Sequence, residues 1–366
     1  MAPETPTISS PPASTAVVRS AWTETRDLPP VLERVQPYTM VPRDALTELA
    51  RQVRAVLDQR IPGAFVECGT WRGGCSFLMA ELLRLAGDSE RKVWMFDSFE
   101  GIPPPAAIDG AAAQTWVNDT SSPWYHDNLR VSLEDVKASA AALGLESRVE
   151  LVKGYFDRTL AAARGRIGPI ALLRIDADWH ASVSCCLEQL VDQVSPGGLV
   201  VFDDYFAYEG CAIAVHEFLG RRSLPHRIEA IGDGPEAPQV AFATGKKTWR
   251  WMRETYRLNQ ELADILTPAG PFVLIDQEQL RIDLAQGNLA IPFLETEGQY
   301  GGPPADDAAA IEALRGMTAR GATHLVVTWP CFWWLEYYTE FAVHLREHHR
   351  LVMNNPRARV FDLRGG

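Results

Sequence analysis

The chain of 366 residues carries 47 Asp and Glu against 35 Lys and Arg, a formal net charge of −12. That balance argues against a nucleic-acid backbone as ligand, because phosphate binding rests on Lys and Arg. Hydrophobic residues make up 46% and charged residues 22%, the composition of a soluble globular protein long enough for two domains. No apolar run of about eighteen residues points to a membrane span, and the N-terminus lacks the basic start and apolar stretch of a secretory signal. A cytoplasmic location is expected. The six cysteines lack Cys-x-x-Cys spacing and read as reduced core residues, with neither zinc nor a disulfide framework implied.

Residues 1–28 are rich in Pro, Ser, Thr and Ala without periodicity and read as a disordered leader. A helix is expected over residues 43–59, where Leu46, Leu49, Val53 and Leu57 recur at three- and four-residue steps before Pro62-Gly63 stops it. Strands then alternate with helices. Apolar runs ended by Gly or an acidic residue mark strands at 64–68, 93–97, 149–152, 170–176 and 199–203, with helices at 74–85, 133–143 and 182–194. Ser132 and Asp135 open the second of these helices and Gly144 closes it. Strands at 226–231 and 239–244 flank Gly232-Asp233-Gly234-Pro235 and read as an antiparallel hairpin. The sum is a doubly wound α/β sheet of seven strands with a reversed end, whose ligands bind outside the carboxyl ends of the strands.

Residues 98–130 have no clear period and hold Pro103-Pro104-Pro105 with Trp116, Trp124, Tyr125 and His126. So long a connection reads as a lid over a site. After a helix at 248–265, a second and smaller α/β unit is expected, with strands at 272–276, 289–293, 324–328 and 359–363 and helices at 306–320 and 335–348. The boundaries expected are a leader over 1–28, a catalytic domain over 29–247 and an accessory domain over 248–366. Trp333, Trp334, Tyr337 and Tyr338 sit at helical spacing and read as packing the tail against the catalytic domain.

Chemistry concentrates at the strand ends. After the first strand the chain turns through Gly69, Gly73 and Gly74 into a helix, where glycine lets backbone approach a ligand that a side chain would block. The spacing is neither Gly-x-Gly-x-x-Gly nor a phosphate-binding loop. An adenosine cofactor without phosphate, S-adenosylmethionine, fits it. Glu67 and Asp97 end the first two strands, placed for ribose hydroxyls and neighbouring cofactor donors. Asp176, Asp203 and Asp204 end adjacent strands and offer oxygen ligands to a hard divalent ion such as Mg²⁺, which would lower the pKa of a substrate hydroxyl. Asp178 is a second carboxylate for proton transfer, and His180 a further acid/base candidate.

Several stretches together resemble the macrocin, mycinamicin and novobiocin O-methyltransferase family: Tyr38-Thr39-Met40, Glu67-Cys-Gly-Thr-Trp-Arg-Gly-Gly74, Phe96-Asp-Ser-Phe-Glu-Gly-Ile-Pro103, Lys153-Gly-Tyr-Phe-Asp-Arg-Thr-Leu160, Leu173-Arg-Ile-Asp-Ala-Asp178 and Pro196-Gly-Gly-Leu-Val-Val-Phe-Asp-Asp-Tyr205. The resemblance covers residues 38–219 and implies a Rossmann-like, class I methyltransferase sheet that methylates sugar hydroxyls of natural products using S-adenosylmethionine and Mg²⁺. It implies that Thr39 and Met40 lie near the methionine end of the cofactor, and Glu67, Gly69, Trp71 and Gly73 along its backbone. Asp97 is implied on ribose with Ser98 beside it, and Phe156 and Asp157 near adenine. It also implies Asp176, Asp203 and Asp204 as metal ligands, with Asp176 as base. The acceptor is expected to be a small-molecule glycoside or saccharide, and a homo-oligomer is compatible.

One motif departs. Members continue the fourth strand as Asp-Gly-Asp-Leu-Tyr-Glu-Ser-Thr, and this chain reads Asp176-Ala-Asp-Trp-His-Ala-Ser-Val183. The carboxylates survive while side chains close to the acceptor change. Two other readings stay open: a metal-dependent nucleotide-sugar glycosyltransferase, through Asp176-Ala-Asp178, and a catalytically silent binding or scaffold protein.

Overall fold

The computed structural model describes residues 22–122, 125–232, 239–244, 248–266, 270–280, 284 and 289–365. Trp124, most of the leader and the turn residues 233–235 lie outside them. Five strands run parallel: β1 (Ala64–Cys68), β2 (Val93–Asp97), β3 (Val149–Lys153), β4 (Ile170–Ile175) and β5 (Val194–Phe202). β6 (Glu229–Ile231) and β7 (Gln239–Ala243) add an antiparallel edge, giving the seven-stranded order β3-β2-β1-β4-β5-β7-β6. This is the Rossmann-like sheet with a reversed end that the apolar runs predict.

The helices in chain order are α1 (Leu28–Val35), α2 (Arg43–Asp58), α3 (Gly74–Leu85), α4 (Gly110–Asn118), α5 (Leu133–Leu143), α6 (Phe156–Ile167), α7 (His180–Leu190) and α8 (Glu209–Arg221). The strands are apolar throughout because both faces are covered. Successive residues alternate between two cores: Phe65, Val93, Met95 and Leu172 pack with α1, α2 and α3, and Val66, Trp94, Phe96 and Leu173 pack with α6, α7 and α8. α5 carries the expected caps, with Ser132 accepting from the Asp135 N–H and Gly144 left-handed at its end.

The first described residues precede the expected end of the leader. Trp22 is buried, and Arg54 donates to its carbonyl at 2.6 Å. Glu24 takes Arg51 at 2.6 Å and the Tyr256 hydroxyl at 2.7 Å. The 98–130 segment contains α4, which its short Ala-rich sequence hid from a periodicity search. Buried Asp109 anchors it, accepting from the N–H groups of Ala106 at 2.7 Å and His180 at 2.6 Å.

A second sheet follows α9 (Trp249–Ile265), with strands β8 (Phe272–Ile275), β9 (Ala290–Pro292), β12 (His324–Thr328), β13 (Arg350–Asn354) and β14 (Ala358–Asp362) in the order β13-β14-β12-β8-β9. A two-residue hairpin, β10 (Glu295–Thr296) with β11 (Gln299–Tyr300), and the helices α10 (Asp307–Ala319) and α11 (Thr339–His348) complete it. α9 belongs to both cores: Trp249 and Met252 pack in the first unit, and Leu258 and Leu262 pack under the second sheet. The helix expected over 335–348 breaks at Tyr338. The aromatic cluster also departs from expectation. Trp334 and Tyr338 pack with Phe293 and Phe341 inside the second unit's own core, while Trp333 and Tyr337 stay 40% and 71% exposed.

Candidate active site

A cavity of about 670 Å³ opens at the carboxyl ends of β1, β2, β4 and β5, the edge where parallel sheets hold ligands. Thr39 and Met40 enter it from the segment before α2, and Tyr155, Phe156 and Asp157 from the start of α6. The 98–130 segment supplies Ile102, Pro103 and Trp116 as a wall. Tyr208 also lines the cavity, with buried Trp179 packed edge-to-face against Tyr208 at 4.9 Å between ring centroids and 6.2 Å from the Trp116 ring.

The turn after β1 is held by Asp97. Its Oδ2 accepts from the N–H groups of Thr70 and Trp71, both at 2.9 Å, and Oδ1 accepts from Phe99 at 2.8 Å. Burial pushes its pKa up against the opposing pull of those donors. Asp97 also lines the cavity. Trp71 sits at φ 45°, a conformation that a bulky residue keeps only when its surroundings hold it.

The glycines of this turn serve a different purpose from the one their sequence implies. Gly69 is left-handed at φ 86°, and an added Cβ would overlap the carbonyl oxygen of Asp176 on β4. A Cβ on Gly73 would meet the Phe77 ring at 2.7 Å, and one on Gly74 the Tyr38 backbone at 2.8 Å. The close approach is between segments of the chain itself.

At the other end stands a cluster of carboxylates around one buried cation, Arg174. Its side chain is 1% exposed; Nη1 donates to Glu67 at 2.7 Å and to Asp176 at 2.6 Å, and Nη2 donates to Asp203. Gln239 also donates to Asp203, and Asp204 accepts from the Asp178 N–H at 3.0 Å. Ligand oxygens of Asp176, Asp203 and Asp204 all lie within 4.8 Å of one another. One guanidinium faces five carboxylates here. Burial, outweighing Arg174 and the Ser76 hydroxyl, pushes Glu67 up to about 7, and burial with the Asp203 charge pushes Asp176 up to about 6. Burial and neighbouring carboxylates hold Asp178 and Asp204 well above the usual range.

Thr39, Met40, Glu67, Gly69, Trp71, Asp97, Ser98, Phe156, Asp157, Asp176, Asp203 and Asp204 thus all line one cavity. Two of the residues assigned from the sequence do not. Gly73 lies behind the wall as the left-handed residue that starts α3. His180 turns its ring away, because it opens α7 and pairs with Glu217 of α8 at 3.1 Å. The carboxylates met by sequence reasoning left Arg174 unnoticed, although an arginine inside an otherwise apolar strand was the signal for it. Trp116 and Tyr208 were missed as wall residues.

Residues 13–234 match the macrocin-O-methyltransferase (TylF) family, more than half of the chain. The chain belongs to that family. It is 39% identical over 197 residues, 53% of this chain and 72% of the relative, to the 8-demethyl-8-(2,3-dimethoxy-alpha-L-rhamnosyl)-tetracenomycin-C 4'-O-methyltransferase of Streptomyces olivaceus. Over the same length it is 35% identical to the demethyldecarbamoylnovobiocin O-methyltransferase of Streptomyces niveus, again 72% of that protein. It is 29% identical to the mycinamicin III 3''-O-methyltransferase of Micromonospora griseorubida, 75% of which is covered. Among solved structures, the O-methyltransferase NovP is similar at 31% identity and a TM-score of 0.49, over 57% of this chain and 83% of that one. Family membership makes the protein an S-adenosylmethionine-dependent O-methyltransferase and sets aside the glycosyltransferase and silent-scaffold readings. The match to the family ends before α9 and the second sheet.

Proposed function

We propose that the enzyme methylates a hydroxyl of a sugar carried by a natural product, with a divalent cation, Mg²⁺ in the first instance, held by Asp176, Asp203 and Asp204. The observation that carries this reading is one cavity with a backbone-pinned turn at one end and a carboxylate cluster at the other. Relatives named for methylating rhamnosyl-tetracenomycin and mycinamicin III support the sugar acceptor. The three aspartates fit a hard cation: their oxygens lie within 4.8 Å of one another, and their surroundings leave them short of positive charge.

When bound, S-adenosylmethionine supplies an electrophilic methyl group, and the cation supplies Lewis-acid lowering of the hydroxyl pKa. The chain does the rest. Thr39 and Met40 hold the methionine end, Asp97 takes a ribose hydroxyl, and Phe156 and Asp157 flank the adenine. Asp176, fixed at Oδ2 by Arg174, accepts the proton of the acceptor hydroxyl at Oδ1. The wall formed by Trp116 and Tyr208, backed by Trp179, excludes water and seats the apolar face of the glycoside. Aligning donor and acceptor in this way can remove about 7–11 kcal/mol of the barrier.

Residues 29–247 form the catalytic domain on this reading, and residues 248–366 an accessory one. Among the described residues no helix is long and apolar enough to cross a membrane.

The test is incubation with S-adenosylmethionine, Mg²⁺ and a panel of aryl and macrolide glycosides, read by mass spectrometry. One added methyl group on the sugar, lost on chelation and in Asp176→Asn, is the expected result. Methylation of the aglycone, or turnover indifferent to chelation, would sink the sugar or the metal assignment respectively.

A further inference from the structure

We infer that Arg174 is a positioning residue that couples the methyl-donor end of the cavity to its cation end, so that each ligand tightens the other. The inference rests on the function proposed above and deepens it. Arg174 is the penultimate residue of β4, where Ala171, Leu172, Leu173 and Ile175 are all fully buried. An arginine there breaks the apolar rule of a central parallel strand, and such breaks concentrate at functional sites; this one is offset by the carboxylates that line the cavity. Its register partner on β1 is Glu67, on the same face.

A continuous set of contacts runs from one ligand end to the other. Ser76, in the first turn of α3, donates its hydroxyl to Glu67 Oε2. Glu67 Oε1 accepts from Arg174 Nη1, and the same Nη1 reaches Asp176 while Nη2 reaches Asp203. Three strands, β1, β4 and β5, therefore share one guanidinium. Its Nε is buried with no hydrogen-bond partner among the described residues, so the group is held by these three carboxylates and by no fourth anchor.

The sign of the coupling follows from charge. A divalent cation on Asp176 and Asp203 takes up part of the negative charge that now holds Arg174. The guanidinium then leans more on Glu67, which firms the link through Ser76 to the donor turn. The linkage is reciprocal: the donor-site ligand raises cation affinity by the same factor. Lysine would keep the charge and lose the fork that lets one side chain bridge several carboxylates.

Titration calorimetry with S-adenosylhomocysteine, with Mg²⁺ and after chelation, reads the coupling without any acceptor. In the wild type, Mg²⁺ is expected to tighten S-adenosylhomocysteine about fivefold, at the lower end of ordinary couplings. Arg174→Lys and Arg174→Met should bring that ratio close to one. Ser76→Ala, which leaves the buried charges in place, should reduce it too and keeps the test available if both arginine variants fail to fold. An unchanged ratio in the variants that fold, or a wild-type ratio of one, overturns the inference while leaving the methyltransferase reading intact. Absence of S-adenosylhomocysteine binding to the wild type would instead strike at the donor site itself, and the inference falls with it.

Discussion

Trp179 donates its indole N–H to the carbonyl oxygen of Pro103 at 2.7 Å, which ties the residue after Asp178 to the segment that walls the cavity. Trp179→Phe keeps a ring in place and removes only that bond. It should cost about 1 kcal/mol in urea unfolding, the ordinary net worth of one hydrogen bond, and speed proteolytic nicking within residues 98–130. Unaltered nicking would mean that the segment is held elsewhere.

The wall should discriminate acceptors without touching the donor. Trp116 lies on α4 and lines the cavity, with its ring 6.2 Å from that of Trp179. Trp116→Ala is expected to raise the acceptor KM about tenfold, the scale of a lost aromatic anchor, with affinity for S-adenosylhomocysteine within about twofold of wild type. Equal losses of both would place Trp116 in the donor site.

Two glycines with positive φ separate conformational freedom from crowding. Gly144 is left-handed at φ 70° with nothing within 4 Å of an added Cβ, whereas Gly69 at φ 86° abuts the Asp176 carbonyl. Gly144→Ala should cost about 1 kcal/mol. Gly69→Ala must also push β1 from β4 and should abolish soluble expression or donor binding. A mild phenotype at Gly69 would contradict the packing described here.

Acid should weaken the second unit through its histidines. Burial, with the charge of Arg364, lowers the pKa of His324, and burial with His348 lowers those of His344 and His349. A histidine whose folded pKa is depressed stays neutral while the unfolded chain takes up protons. The stability is therefore fully present above the unfolded value of about 6.5 and falls as pH drops through it. Thermal unfolding followed from pH 7.5 to about 5.5 should show this loss, and His349→Gln should make the slope shallower. An unchanged slope would assign the acid sensitivity to other groups.

Much of the catalytic sheet was legible because its strands are apolar on both faces and end in carboxylates, a pattern that fixes strand, direction and site at once. α8 was not, although Cys211, Ala214, Val215, Phe218 and Leu219 have helical spacing and are buried. Gly210 in its first turn reads as a breaker, but is there because a Cβ would press on the Asp109 backbone at 2.9 Å. His180 was overvalued for a related reason: sequence places it two residues from Asp178, and the start of α7 rotates its ring toward α8. Arg174 was undervalued because a single charge in an apolar run says nothing of what lies across the sheet. Its partners, Glu67 and Asp203, are 107 and 29 residues away.

The β1 turn, pinned by Asp97, is proposed as the S-adenosylmethionine site. Calorimetric titration of the wild type and Asp97→Ala with S-adenosylhomocysteine tests this assignment most directly. One site per chain is expected in the wild type, with an affinity loss of at least about tenfold in the variant, since three backbone N–H groups and the ribose contact lose their acceptor. Equal binding by a folded Asp97→Ala, or none by the wild type with Mg²⁺ present, would contradict it.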